Sequence, residues 1–396
     1  MTELRRLVSG RPGAARVAIA VVVTASSVLP AFLTGAVGVQ LRDDLGFGEG
    51  ALGLAIGAFF LAAAIGSAPG GRLVQRLGAK RSILVALSAT IVADLWIAAG
   101  ARSWSSLAVG LAVGGLGNAL TQPAANLLLA DSVPAHRLGL AVSLKQAGMP
   151  TATLLGGLAV PALALTVGWR WAYVAAAGLA VVAVAAMLRL SDEGRRPAPG
   201  TDAPPRRPDS AVSTLVVAAS GMVFGAATAG AIGAWVVSSA EASGVASGSA
   251  GLLLTLGSAI GICSRVIVGW RADRTRRAPL RTVSTMLAIG AIGVAALSSG
   301  DLAVLLPAVA IAFGAGWAWP GLFNFAIVRA NPSGPAAATG ITQVGTYLGA
   351  VVGPVVFGLV VDAADYRTAW LMTAGWAVVA AVVMRVTDRR LGQPSA

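Results

Sequence analysis

Read for polarity alone, the chain alternates long apolar runs with short polar stretches. Crossing the hydrocarbon of a bilayer takes about 20 apolar residues. Twelve runs approach that length: residues 17–39, 50–70, 82–100, 104–130, 138–165, 171–189, 212–240, 249–269, 282–299, 302–328, 336–361 and 367–384. Lipid offers the backbone no hydrogen bonds, so each run predicts a helix that satisfies its own N–H and C=O groups. Between the sixth and seventh runs, residues 191–210 are Pro-rich and carry Arg195, Arg196, Arg206 and Arg207, which predicts a linker. The pattern therefore predicts an all-α membrane protein of twelve transmembrane helices in two six-helix halves. Residues 1–190 form the first half, 191–210 a cytoplasmic linker and 211–396 the second half. Arg5, Arg6, Arg11 and Arg16 before the first run resemble the start of a signal peptide. The apolar core of a signal peptide is only about 7–15 residues long, so the longer run at 17–39 is expected to stay as the first span.

Composition agrees with a lipid solvent. Charged residues make up 11% of the chain, against about 25% in soluble domains. The net charge of +13 does not point to nucleic acid, because the basic residues sit in short loops between apolar runs. With the N-terminus placed in the cytoplasm, 23 of the 29 Lys and Arg residues fall on the cytoplasmic side. Only Arg42, Arg102, Arg170 and Arg367 fall outside. Basic residues gather on the cytoplasmic side of membrane proteins, so both termini and the linker are expected there. Ala, Gly and Arg richness suggests a bacterial chain, which makes the inner membrane its expected location. A single cysteine, Cys263, excludes an internal disulfide, and a single histidine, His136, argues against a histidine zinc site. There is no phosphate-binding Gly-rich loop and no nucleophile motif. An enzyme or receptor therefore finds no support, and no cofactor, metal or nucleic-acid partner is expected.

The chain also repeats itself. Trp169-Arg170-Trp171-Ala172-Tyr173 returns 197 residues later as Tyr366-Arg367-Thr368-Ala369-Trp370. Gly71 to Arg76 is echoed at Gly269 to Arg274, and Pro123 with Asn126 by Pro320 with Asn324. Duplicated halves in a membrane-embedded chain mark secondary transporters, whose site lies between the halves.

Gly71-Arg72-Leu73-Val74-Gln75-Arg76-Leu77-Gly78-Ala79-Lys80-Arg81 lies between the second and third runs. It resembles the loop signature of the major facilitator superfamily, with Gln75 where the family has an Asp and Ala79 where it has a basic residue. The second copy keeps the acid, at Asp273 before Arg274. The resemblance covers the whole chain and implies transport by alternating access. It also implies a cytoplasmic latch of Gly71, Arg76, Gly78, Lys80, Gly269, Asp273 and Arg274, with the glycines allowing close helix approach. The alternative is that these basic residues only set topology. Gly148-Met149-Pro150 and Gly156-Gly157 do not reproduce the spacing of the family's antiporter signature.

Polar residues inside spans mark sites or interhelix contacts. Asn118, Gln122 and Asn126 recur every four residues and share one helix face. They either line the cavity or bond to a neighbouring helix. Asn324, Gln343 and Tyr347 repeat the theme in the second half, and Trp317 and Trp319 sit near mid-span, as site wall or as packing. Lys145 and Arg265 are the cations within spans. Lys145 either faces the cavity or reaches back to the cytoplasmic surface. Arg265 and its surroundings resemble a stretch of monocarboxylate and oxalate–formate transporters, which implies a bond to substrate carboxylate; the alternative assigns it to the latch. Asp94 is expected near the outer interface of the third span rather than in a proton relay. Two interior cations without a cavity acid favour a small organic anion; the alternative is an exporter of hydrophobic compounds or drugs. Expected partners are the small-molecule substrate, membrane lipid and a coupling ion, proton or other, with the chain a monomer.

Overall fold

The computed structural model describes residues 11–133, 141–142, 144–190, 207–274 and 279–391, with the side chains of 11–12, 272–274 and 336 left aside. Among these residues the chain is helical throughout, without strands. The helices are α1 (Arg11–Ala36), α2 (Gly38–Leu45), α3 (Glu49–Leu77), α4 (Ala79–Gly100), α5 (Trp104–Ala130), α6 (Gly148–Ala159) and α7 (Trp169–Leu188) in the first half. The second half holds α8 (Val212–Ala242), α9 (Ser247–Arg274), α10 (Pro279–Ala296), α11 (Leu302–Ile311), α12 (Pro320–Ala330), α13 (Pro335–Ala363) and α14 (Tyr366–Leu391). Short α2 caps the end of α1. A π-helical turn at Val160–Ala164 extends α6, and another at Ala312–Gly316 joins α11 to α12 in one crossing.

Ten stretches among the described residues are long and apolar enough to span. Gly148–Ala164 is shorter, and the N-terminal part of that expected span lies outside the described residues. Helix α5 has the length, and its amides lower its hydropathy. Together they make the twelve crossings in two six-helix halves that the apolar pattern predicts.

Lipid gives helices no hydrophobic reason to associate, so packing rests on close backbone approach through small residues. Some of the chain's 50 glycines supply it. Within the first half, a Cβ at Gly115 on α5 would overlap the Phe59 carbonyl of α3. Within the second, a Cβ at Gly345 on α13 would overlap the Ala219 carbonyl of α8. Across the halves, a Cβ at Gly35 on α1 would come within 2.6 Å of the Ala234 carbonyl on α8, and one at Gly157 on α6 within 2.5 Å of the Gly251 carbonyl on α9. Gly53 on α3 meets the Pro354 carbonyl of α13 in the same way.

These cross-half contacts share a side. They use Phe32 and Gly35 of α1, Glu49 to Gly57 of α3, Thr153 to Gly157 of α6 and their partners on α8, α9 and α13, from mid-helix to the end opposite the termini. That end of the bundle is closed. A polar clasp seals it. Asp362, at the end of α13, accepts from the N–H groups of Glu49 (3.0 Å) and Gly50 (2.8 Å), the first residues of α3. A carboxylate there answers both the unpaired N–H groups and the positive end of the helix dipole. Glu49 in turn takes the Tyr366 hydroxyl at 2.6 Å and pairs with Arg42 at 2.6 Å. At the other end, Asp209 and Ser210 fasten the start of the second half to the turn before α13. Ser333 N–H donates to Asp209 and Ser210 N–H to Asn331, and the Ser333 amide holds the Asp209 carboxyl below the usual carboxylate range.

Candidate functional site

The crossing formed by α11 and α12 is broken in the middle of the bundle. The π-helical turn ends at Gly316, Trp317 leaves helical geometry, and Pro320 starts α12 where its missing N–H costs nothing. The break leaves carbonyls without helical partners, and side chains take them. Ser264 donates to Gly314, Trp319 Nε1 to Gly316 at 2.9 Å, and Arg265 Nη2 to Trp317 at 2.5 Å. Discontinuous helices at mid-membrane are how transporters expose backbone polarity to a solute.

Arg265 lies nine residues from the end of α9, about 14 Å of helix rise. Its guanidinium carbon sits 5.8 Å from the centre of the Trp317 ring. Its Nη1 is buried with no hydrogen-bond partner. The described ion pairs both lie at the closed end of the first half, Arg42 with Glu49 and Arg170 with Asp44, and neither reaches Arg265. An arginine that spends Nη2 on a carbonyl and keeps Nη1 buried without a partner has donor capacity left for an acceptor. Trp317 is 3% exposed and joins the two halves, with its ring 5.5 Å from Phe32 on α1 and 5.5 Å from Phe313. Phe32 continues to Phe60 of α3 at 6.2 Å, so aromatic rings floor the site on its closed side. Trp319 belongs to packing: it is fully buried, with its ring against Gly225 of α8.

The amide stripe of α5 divides in two. Asn118 accepts from Ser27 of α1 at 3.1 Å, a bond between helices of one half. Gln122 and Asn126 instead hold Lys145, whose Nζ donates to their side-chain oxygens at 2.7 and 2.8 Å. Lys145 is 1% exposed, and the groups that it bonds are amides, not a carboxylate. Asn126 itself is exposed. Lys145 thus neither snorkels nor pairs with an acid. Asn324 on α12 and Gln343 and Tyr347 on α13 are each half-buried and are not drawn into either cation cluster.

The loop residues behave less uniformly than the resemblance implies. A Cβ at Gly71 or Gly269 would meet nothing within 4 Å, so neither glycine serves close helix approach here. Gly78 has φ +78° and turns the chain from α3 to α4, a conformation other residues rarely take. Lys80 donates to the Leu190 carbonyl just beyond α7 at 2.8 Å, within its own half. Arg76 is exposed, and the side chains of Asp273 and Arg274 lie outside those described. Asp94 departs from its expected place. It lies toward the end of α4 that is opposite the chain termini, and it is fully buried inside the first half rather than at an interface.

With the geometry in view, comparison decides the family. The model of the Major Facilitator Superfamily matches residues 17–334 and 217–395, nearly the whole chain. This chain belongs to the major facilitator superfamily. It is a multi-pass transporter of that family, not an enzyme. Two uncharacterised MFS-type transporters of Mycobacterium tuberculosis strains are 27% identical over 315 residues, covering 76% of this chain and 69% of theirs. Among solved structures, a D-xylose–proton symporter superposes with TM-score 0.77 at 15% identity, covering 93% of this chain and 96% of that one. A bacterial homologue of the human lysosomal transporter Spinster, inward-facing and unoccupied, gives 0.76 at 15% identity, covering 97% and 99%. The E. coli xylose transporter in a partially occluded inward-open conformation gives 0.76 at 14%, covering 95% and 99%. At these identities the structures share the fold, and nothing about substrate follows from them.

The clasp of Asp362, Glu49, Arg42 and Tyr366 was not visible in the sequence. Its partners lie 313 residues apart in the chain. The only local signal was an acid at each of two helix ends on the same predicted side.

Proposed function

We propose that this superfamily transporter moves a small organic anion, with Arg265 as the ligand of its carboxylate. The observation that carries the reading is the buried Nη1 of Arg265, left without a partner at the helix break. Leaving a buried N–H unpaired costs about 1–3 kcal/mol, more for a charged group. A carboxylate arriving from the open side removes that cost and gains a charge-assisted pair. The start of α12 adds the positive end of a half-helix beside it. Trp317 and Phe32 offer an apolar surface to the rest of the solute. Lys145, tied up by Gln122 and Asn126, supplies positive potential from the first half rather than a direct contact. In this reading both termini lie in the cytoplasm of a bacterial inner membrane, which the distribution of basic residues supports, and the closed end faces outward.

A thermal-shift screen of the purified chain against small carboxylates and lipophilic cations tests the reading. Ligands that bind the native state stabilise it by mass action. Carboxylates should raise the melting temperature of the parent and lose that effect in Arg265→Lys. Stabilisation by lipophilic cations alone would replace the anion reading with export of hydrophobic compounds, for which the aromatic floor would be the site.

A further inference from the structure

Helices α6 and α9 form one seam between the halves, and their contacts fix how they lie. A Cβ at Gly251 of α9 would come within 2.7 Å of Val160, and a Cβ at Gly157 of α6 would meet Thr255. Thr255 donates to the Leu154 carbonyl, and the hydroxyls of Thr153 and Ser258 lie 2.7 Å apart. Each step along α9 toward its last residue matches an equal step back along α6. The pair is antiparallel and keeps one alignment.

Seven residues are two helical turns and return a side chain to nearly the same face. Seven residues before Thr153 stands Gln146, and seven after Ser258 stands Arg265. The count holds through the turn at residues 146–147. There the Gln146 N–H donates to the Val142 carbonyl and the Thr151 N–H to the Ala147 carbonyl, each four residues back. Gln146 therefore stands across the seam from Arg265, about 11 Å beyond the Thr153–Ser258 bond on the side of the chain termini.

The loose ends of the two side chains are complementary. Arg265 Nη1 is a buried donor without a partner, and Gln146 Oε1 is a buried acceptor without one, so neither bonds the other. Both side chains are half-buried overall, and part of each meets the open side. Unpaired polar groups are costly away from water, and a solute that brings both an acceptor and a donor satisfies both. Charge narrows the donor. Arg265 and its counterpart Lys145 are cations, Lys145 bonds amides, and the described ion pairs lie at the closed end. An ammonium here would meet like charge with no acid to offset it. A hydroxyl carries no such penalty.

We propose that Gln146 is a specificity-determining residue that reads a hydroxyl on the transported acid, which makes the solute a small hydroxycarboxylate. The inference rests on Arg265 as the carboxylate ligand and adds the second group. Arg265 donates to the carboxylate, and Gln146 Oε1 accepts from the hydroxyl. A plain carboxylate leaves the amide oxygen unmet. An amino carboxylate brings a charge that the seam opposes.

Calorimetric titration of the purified full chain tests this on one carbon skeleton, with butyrate, its 2-, 3- and 4-hydroxy forms and the matching amino forms. At least one hydroxybutyrate should bind the parent about ten-fold or more tightly than butyrate, and more tightly than its amino counterpart. Gln146→Leu, similar in size, should bind butyrate within about three-fold of the parent and lose the preference for the hydroxyl. A ratio of two affinities within one protein does not move with a merely structural change. Where Gln146→Leu fails to insert, Gln146→Glu decides: its carboxylate should weaken butyrate and the hydroxy acids and favour the amino form over the hydroxy form. Three results overturn this proposal alone and leave Arg265 as the carboxylate ligand: butyrate binding to the parent with no preference for a hydroxyl, a preference that survives Gln146→Leu, or a Gln146→Glu variant that ranks the solutes as the parent does. No binding of any of these acids to the parent overturns both readings.

Discussion

At the scale of single residues, two interior cations have different surroundings and so different expected sensitivities. Lys145 is held by two amide oxygens, which keep a buried ammonium hydrogen-bonded without neutralising it. Replacing both acceptors, as in Gln122→Leu with Asn126→Leu, strands that ammonium. The double variant should insert poorly or melt several degrees lower, whereas Lys145→Met in the same background should recover much of the loss. Detergent-phase melting of the four proteins checks this as a thermodynamic cycle. Arg265 spends one nitrogen on the Trp317 carbonyl and keeps Nη1 without a partner, so Arg265→Lys, which can still reach that carbonyl, should change melting little and act on ligand affinity. Loss of a charge-assisted pair worth about 1.5–3 kcal/mol weakens binding roughly ten- to a hundred-fold. The sequence made both residues conspicuous, because a cation in an apolar run is rare. It could not show that the Gln122 and Asn126 stripe exists to hold Lys145, since spacing fixes a helix face but not what meets it. Asp94 was misplaced for the same reason: its depth along α4 followed from counting residues, and its burial depends on α1 and α7.

Among elements, the helices themselves were legible, because a bilayer demands long apolar runs and uninterrupted backbone hydrogen bonding. The break between α11 and α12 was less so. Gly314, Gly316 and Pro320 were present in the sequence, but a π-helical turn at 312–316 depends on the side chains of α9 that take the freed carbonyls. Glycine contacts separate two roles that composition cannot. Gly115 packs helices within the first half, and Gly53 packs α3 against α13 across the halves. Gly115→Ala should lower stability or yield, because the Phe59 carbonyl cannot move away alone. Gly53→Ala should keep the fold and weaken the closed end. Accessibility of a cysteine introduced at Val351, in a Cys263→Ala background, distinguishes them: labelling from the outer side should rise in Gly53→Ala and stay low in Gly115→Ala.

For the molecule as a whole, alternating access requires a closed end that can open. The polar seal is short: Asp362 on the first two N–H groups of α3, and Glu49 between Arg42 and Tyr366. Asp362→Asn removes the charge that meets the α3 dipole, a term of about 0.3–1 kcal/mol for an exposed helix end. That is enough to shift a near-balanced equilibrium between states a few-fold and too little to unfold the protein. Distances between labels at the two ends of the bundle, measured by pulsed electron resonance, should show a larger outward-open population in this variant. An unchanged distribution would mean that the aromatic floor and the glycine contacts alone keep the end shut.

The most direct measurement is solute counterflow in vesicles containing the purified chain. Vesicles loaded with an unlabelled small carboxylate that stabilises the protein, and placed in a trace of the labelled compound, report exchange through the central site without needing a coupling gradient. The account predicts rapid labelled uptake by the parent and uptake slowed by about ten-fold or more in Arg265→Lys, with the variant inserted and melting like the parent. Counterflow that is equally fast in Arg265→Lys, or none with any small carboxylate while a lipophilic cation exchanges, would contradict it.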